Sequence, residues 1–380
     1  MDNVIECNNQ LFRKEQNILV MKKTIKTALI LLLSLLLIVL GYFAYLLIAY
    51  HRIDDNLTLD ISNSGNPADT INVGETYRIS SANVGFGAYS DDFSFFMDGG
   101  TESWAFSKDA VNNNITNEAL LCQSLNPDFY LFQEVDLDAT RSYHVDEAAL
   151  LTQEISKDNE DLSCTFAVNY DSPFLMYPVT QPHGKSKSGL LTVSSVTIND
   201  SLRRQLPIET GLTKYLDLDR CYVKNYINVD NGKQLVLFNV HLSAYTTNPS
   251  TAINQIKMLT EDMQAEYDAG NYVIVGGDMN KDLLGDSSVY FGGDKESHPW
   301  AKTFPTELLP ESFEIVGPID EDNPAPSCRN ADTPYNENTF VLTVDGFLIS
   351  SNVELVDANV LNTEFKYSDH NPVYMDFILK

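Results

Sequence analysis

An α/β fold behind one membrane-spanning helix is what this sequence predicts, on three observations. Residues 27–50 (TALILLLSLLLIVLGYFAYLLIAY) carry no charge. Further on, short apolar runs rich in β-branched residues alternate with amphipathic stretches; residues 251–269 (TAINQIKMLTEDMQAEYDA) lead straight into residues 272–280 (YVIVGGDMN), the pattern of a helix feeding a buried strand. Finally, several of those apolar runs end in a residue able to ligate a metal or handle a proton, and the rim of a sheet is where α/β proteins place their chemistry.

At ~1.5 Å per residue, residues 27–50 reach roughly 36 Å, enough to cross a ~30 Å hydrocarbon core with some tilt. A cleaved signal peptide is the competing reading, but the run is long for one and no small-x-small cleavage site follows it. Arg13, Lys14, Lys22, Lys23 and Lys26 precede the span, and Asp54, Asp55 and Asp60 follow it. The positive-inside rule therefore puts residues 1–26 in the cytoplasm and the rest outside, as a single-pass protein of the plasma membrane. Residues 51–72 are expected to form a solvated stalk, and residues 73–380 the catalytic domain.

The 380 residues carry a net charge of −28 and a pI near 4.4, which argues against holding nucleic acid on a broad basic surface. A bound cation can still neutralise a phosphate locally. Of the five cysteines, Cys7 falls on the cytoplasmic side. Cys122, Cys164, Cys221 and Cys328 have neither CxxC spacing nor a nearby histidine, so a zinc site is not expected, while disulfides and buried free thiols both remain open.

Residues 75–84 (ETYRISSANV) read as a first strand ending at Asn83, before Gly85 and Gly87. Residues 85–108 read as a long aromatic loop and 109–125 as a helix with Ile115, Ala119 and Cys122 on one face. A second strand, 128–135 (DFYLFQEV), breaks at Gln133 and Glu134, and a carboxylate there is costly unless it is paired or binds a cation. Residues 146–157 form an amphipathic helix; Asp136, Asp138, Asp146 and Glu147 read as solvated. Strands follow at 164–170 and 189–198 (GLLTVSSVTI). Lys185, Lys187, Arg203 and Arg204, with Arg141 upstream, are basic groups that could meet an anionic substrate or simply face solvent. Asp230-Asn231-Gly232 joins two arms of a hairpin, 220–229 and 233–242, the second closing on His241. Helix 251–269 ends at Gly270, and in 272–280 the two glycines turn the chain so that Asp278 and Asn280 stand at the rim. Residues 281–338 read as loops, 339–350 (TFVLTVDGFLIS) as a strand carrying Asp345, and 367–379 as Ser368, Asp369 and His370 before a closing strand. Each such site, taken alone, is also compatible with an ordinary turn or a packed core residue.

Together, the pieces SANVG, FQEV, KSGLLTVS, FNVHL, GGDMN, VDGFLIS and SDHNPV occur in the order of the endonuclease/exonuclease/phosphatase superfamily, which this chain resembles over about residues 75–380. The resemblance implies a DNase I-like four-layer α/β sandwich, two packed sheets with helices outside. It also implies a phosphoesterase dependent on Mg²⁺ or Mn²⁺, with Glu134, Asn83 and Asp369 at the metal and His241, Asp278, Asn280, Asp345 and His370 as catalytic residues. Asp278 is similar to the acid that prepares the attacking water, Asn280 to the amide on the phosphoryl oxygens, and His370 to a catalytic histidine oriented by Asp345. His241 is similar to a residue acting on the leaving oxygen. Two departures bear on the substrate: Leu242-Ser243 follows His241 where sphingomyelinases usually have Thr-Gln, and Thr343-Val344-Asp345-Gly346 stands for Arg-Ile-Asp-Tyr. The expected partners are a phosphate ester (lipid headgroup, nucleotide or nucleic acid, or inositol phosphate) and the membrane, with no protein partner indicated. A surface nuclease and a non-catalytic binding module are the alternatives.

Overall fold

In the computed structural model, which describes residues 2–211, 214, 219–244 and 249–380, the chain divides into two units at His51/Arg52. The first is one helix, α1 (Asp2–Ala49), most of whose described apolar side chains are exposed, Leu46 being buried. Its stretch Cys7–Ala49, mean hydropathy 2.7 over its most apolar window, is long and apolar enough to cross a membrane.

The second unit runs β1 (Leu57–Thr58), β2 (Ile61–Ser64), β3 (Thr76–Asn83), α2 (Lys108–Ser124), β4 (Phe129–Ala139), α3 (Glu147–Ile155), β5 (Leu162–Leu175), β6 (Gly184–Ser194), β7 (Ile198–Gln205), β8 (Cys221–Asn228) and β9 (Gln234–His241). It continues with α4 (Pro249–Asp268), β10 (Tyr272–Asp278), α5 (Ser288–Phe291), β11 (Phe313–Val316), β12 (Cys328–Arg329), β13 (Val341–Leu342), β14 (Asp345–Ser350), β15 (Val353–Val360) and β16 (Val373–Leu379). One seven-stranded sheet is ordered β1-β7-β8-β9-β10-β14-β11, the other β15-β16-β3-β4-β6-β5-β2.

The central strands are apolar on both faces because both faces are covered. Phe129 and Leu131 of β4 meet Leu235, Leu237 and Ile274 of β9 and β10 in the core between the sheets. Tyr130 and Phe132 face outward, against Ile115, Ala119 and Cys122 of α2 and Leu151 of α3. On the other sheet Val236, Phe238, Val273 and Val275 pack on Ile256, Leu259 and Met263 of α4. These four layers are the expected α/β sandwich.

The topology places the site. β3 pairs parallel with β4 through the crossover α2, and β9 pairs parallel with β10 through α4, so all four strands end on one rim. β14 and β16 run antiparallel to β10 and β3 and therefore start there. Six sequence-distant chain ends converge for this reason alone.

Several expectations are corrected. The segment expected to be a solvated stalk is folded: β1 pairs with β7 and β2 with β5 as edge strands, because alternating Leu, Thr and Ile can join an open edge despite polar neighbours. The strand expected over 339–350 begins only at Asp345, after the short β13, and the one expected over 189–198 splits into β6 and β7. Asp136 and Glu147, expected in solvent, are fully buried: Asp136 accepts from Arg141 and Ser142, and Glu147 accepts from the Asp136 amide. Arg203, expected at a surface, is fully buried and donates to the carbonyls of Val168, Asp219, Ile53 and Asp54. Residues 281–338 hold α5, β11 and β12. All five cysteines are free thiols, four of them buried.

Glu118 of α2 is fully buried, and among the described residues neither carboxyl oxygen has a hydrogen-bond partner. Burial, with His370 opposing and Asp369 adding, pushes its pKa up to about 8. The folded chain thus holds this proton more tightly than the unfolded chain, so stability is fullest below about pH 4.5 and is lost as pH rises to about 8. Glu118→Gln should melt higher than the parent at pH 8.5, and the gap should close as pH falls toward 4.5; a gap that is constant with pH would show that Glu118 does not titrate in the folded state.

Candidate active site

Gly276 and Gly277 explain how the β10 rim can exist. A Cβ on Gly277, whose φ is +141°, would lie 2.1 Å from the Val240 carbonyl oxygen, and one on Gly276 would lie 2.6 Å from Leu131. Only glycine lets β10 pass so close to β9 and to the opposite sheet. The next residue, Asp278, is held by register beside His241 on β9 and Asp345 on β14.

Asp278 is the hub. Its Oδ2 accepts from Asn83 Nδ2 at 3.0 Å and Asn280 Nδ2 at 3.2 Å, and its Oδ1 accepts from the Asn280 amide at 2.8 Å. His241 Nε2 lies 3.6 Å and His370 Nε2 3.9 Å from the same Oδ2. Burial raises the pKa to about 6 against the lowering charge of His370, so the carboxylate is available as a base near neutrality.

The two histidines differ. Burial and the nearby cations Arg220, His370 and Arg141 hold His241 well below the usual imidazole range, and its Nδ1 has no hydrogen-bond partner among the described residues. His370 is also buried, which opposes its protonation, yet Asp345 outweighs burial: Oδ2 sits 2.8 Å from Nδ1, and the pKa stands well above normal. Ser327 Oγ donates to that same Oδ2 at 2.7 Å, and its backbone partners Val344 and Asp345 fix it there. The two histidines are thus shifted in opposite directions, His241 toward the neutral form and His370 toward the protonated one.

Glu134 interrupts the β4 ladder with φ +55° at a register shift between Phe132 and Val135, which turns its carboxylate into the cavity. Asn83 Nδ2 donates to it at 3.2 Å, while Asn83 Oδ1 accepts from Gly85. Burial raises Asp369 to about 7, with the like charge of Glu134 adding to the rise and His370 and Arg329 opposing it. Among the described residues neither acid has a lysine or arginine ion-pair partner. Two carboxylates facing one cavity without such a partner are the oxygen donors a hard divalent cation takes. Asp278, Asp345 and His370 also offer ligand atoms within 4.8 Å of one another.

These groups line a cavity of about 380 Å³. Of the expected residues, Glu134, His241, Asp278, Asn280, Asp369 and His370 line it, and Asn83 and Asp345 stand one hydrogen bond behind. Arg141 also lines it, donating from Nε and Nη2 to Asp136 and stacked 3.9 Å over Phe86. Lys187 does not; it sits on β6 opposite Asp138. Sequence reasoning missed Arg220, which donates to the Leu242 carbonyl at 2.9 Å, and Cys328, whose Sγ lies 3.6 Å from His370 Nε2. Arg220 could have been found at the head of a strand-like run; nothing in the loop around Cys328 marks it.

Residues 80–370 match the Endonuclease/Exonuclease/phosphatase family. Among solved structures, the chain is similar to an endonuclease/exonuclease/phosphatase from Beutenbergia cavernae DSM 12333 (TM-score 0.55, 15% identity, covering 80% of this chain and 72% of that one). It is also similar to an endonuclease/exonuclease/phosphatase family protein from Leptotrichia buccalis C-1013-b (TM-score 0.52, 13% identity, 79% and 99%). A third is ANGEL2, a 2',3'-cyclic phosphatase, in complex with adenosine-2',3'-vanadate (TM-score 0.51, 13% identity, 85% and 99%). No curated protein matches the chain.

Asp345→Asn removes the charge that keeps His370 protonated. Imidazole carbon NMR should then find His370 titrating at lower pH than in the parent; an unmoved titration would show that Asp345 does not set its charge.

Proposed function

The chain belongs to the endonuclease/exonuclease/phosphatase family, whose members hydrolyse phosphate esters, and from that premise we propose that it is a membrane-anchored, Mg²⁺-dependent phosphoesterase of the plasma membrane with its catalytic body outside the cytoplasm. The observation that carries this is Asp278, a buried base between a neutral and a cationic histidine, beside two acids that have no lysine or arginine ion-pair partner among the described residues. Glu134 and Asp369 would hold Mg²⁺ or Mn²⁺, which would supply neutralisation of charge on the phosphoryl group.

Asp278 takes the proton of the attacking water as its oxygen bonds to phosphorus and the bond to the leaving oxygen breaks. Asn280 fixes Asp278 through the amide bond at 2.8 Å. Protonated His370 is the acid within reach of the leaving oxygen, and Asp345 holds it in that state. His241, without a proton to give as an acid, offers Nε2–H as a hydrogen bond; its part is to stabilise charge rather than protonate. Asn83, donating to both Glu134 and Asp278, keeps base and cation site at a fixed separation.

The full chain, screened against lipid-headgroup, nucleotide and inositol-phosphate esters, should turn over at least one class, lose turnover in EDTA and regain it with Mg²⁺. Asp278→Asn should lower kcat by about 10²–10⁴-fold, the range for a positioned proton acceptor, while leaving the melting temperature near the parent's. Degradation of plasmid DNA alone would make it a surface nuclease. Turnover of none of these esters would leave a binding module.

A further inference from the structure

Resting on the reading of an anchored phosphoesterase, the structure points to how its substrate is presented. Residues 174–184 (FLMYPVTQPHG) contain no lysine, arginine or acid, in a chain that is 21% charged. This segment is braced against the loop before α2: Ser103 donates to Gln181 at 2.7 and 2.6 Å, Trp104 donates to the Pro182 carbonyl at 2.7 Å, and the rings of Phe96 and Tyr177 lie 5.8 Å apart. The two loops make one crest with Met97 66%, Met176 49%, Tyr177 70% and Val179 81% exposed. The crest adjoins the catalytic cavity, since Phe95 and Met97 at one end and His183 at the other line it.

We propose that this crest seats on a lipid bilayer and presents the cavity to phosphate esters held at the bilayer surface. Contiguous exposed apolar side chains mark contact surfaces, and a tyrosine among uncharged apolar neighbours suits the membrane–water interface. The occupant is argued from the chain itself. Only Tyr50 and His51 separate the end of α1 from Arg52, where the catalytic body begins, so a bilayer crossed by α1 is the body's constant neighbour. Within the body, Arg52 is bonded to Asp219 and to the Leu206 carbonyl, next to Arg220 of the cavity wall. The exposed Asp91 and Asp92 on the crest's flanking loop favour a zwitterionic surface over an anionic one.

The test reconstitutes the full chain in phosphatidylcholine vesicles. In Val179→Trp, the emission added to that of Trp104 and Trp300 should fall on the order of two-fold with lipids brominated at shallow acyl positions, because interfacial side chains sit ~5–10 Å deep. In a Met176→Ser, Tyr177→Ser, Val179→Ser variant, hydrolysis of an alkyl-tailed aryl phosphodiester in the vesicles should fall about tenfold, in keeping with loss of buried apolar area, while its soluble, tail-less counterpart is turned over as before. Quenching without turnover of either probe, in a chain that also turns over none of the lipid-headgroup, nucleotide and inositol-phosphate esters, supports docking and defeats the phosphoesterase reading. Absent quenching, an equal fall on both probes, or a dimer that the triple variant abolishes would overturn the proposal.

Discussion

A single amide nitrogen joins the two sheets at the place where chemistry is expected. Asn83 ends a strand of one sheet and Asp278 a strand of the other, and the 3.0 Å bond between them is made in a buried setting where an unmet donor or acceptor costs ~1–3 kcal/mol. The same nitrogen reaches Glu134, so the spacing of both acids depends on how the sandwich closes. The apolar layer beneath, Phe129 and Leu131 against Leu237 and Ile274, sets the distance between the sheets. Packing at the centre thereby fixes geometry at the rim.

Charge at the rim is divided between fixed pairs and unpaired acids. Asp345 is engaged by His370 and Asp136 by Arg141, and the Arg220 donors reach the carbonyls behind His241. Glu134 and Asp369, the two acids proposed for the cation, have no lysine or arginine ion-pair partner among the described residues. An acidic chain can handle a phosphate ester in this way because its positive charge is local, on a histidine and anchored arginines that line the cavity, rather than spread over a basic surface.

Much of this was legible in the sequence. The buried strands announced themselves because apolar residues cover both faces, and the rim residues because an acid, amide or histidine cannot end such a run without a reason. The helices α2, α3 and α4 followed from their periodicity. Edge strands were not legible: β1 and β2 are short and mostly exposed, held by backbone pairing that leaves little side-chain signature, so residues 51–72 looked like solvent-borne chain. Nor was the burial of Arg203, Asp136 and Glu147, since a charge satisfied by distant backbone or by a partner folded back on it reads like any surface charge. Cys328 belongs with these; its place beside His370 depends on a loop whose sequence says only that it is not regular.

Because β16 lies between β15 and β3, pairing residue 373 with residue 81, the rim closes through contacts almost three hundred positions apart. Such long-range pairing forms late and slowly. A nascent chain can therefore complete both parallel crossover units while still lacking Asp369 and His370. The catalytic cavity is therefore complete only once residues 369 and 370 have been made and β16 has docked beside β3.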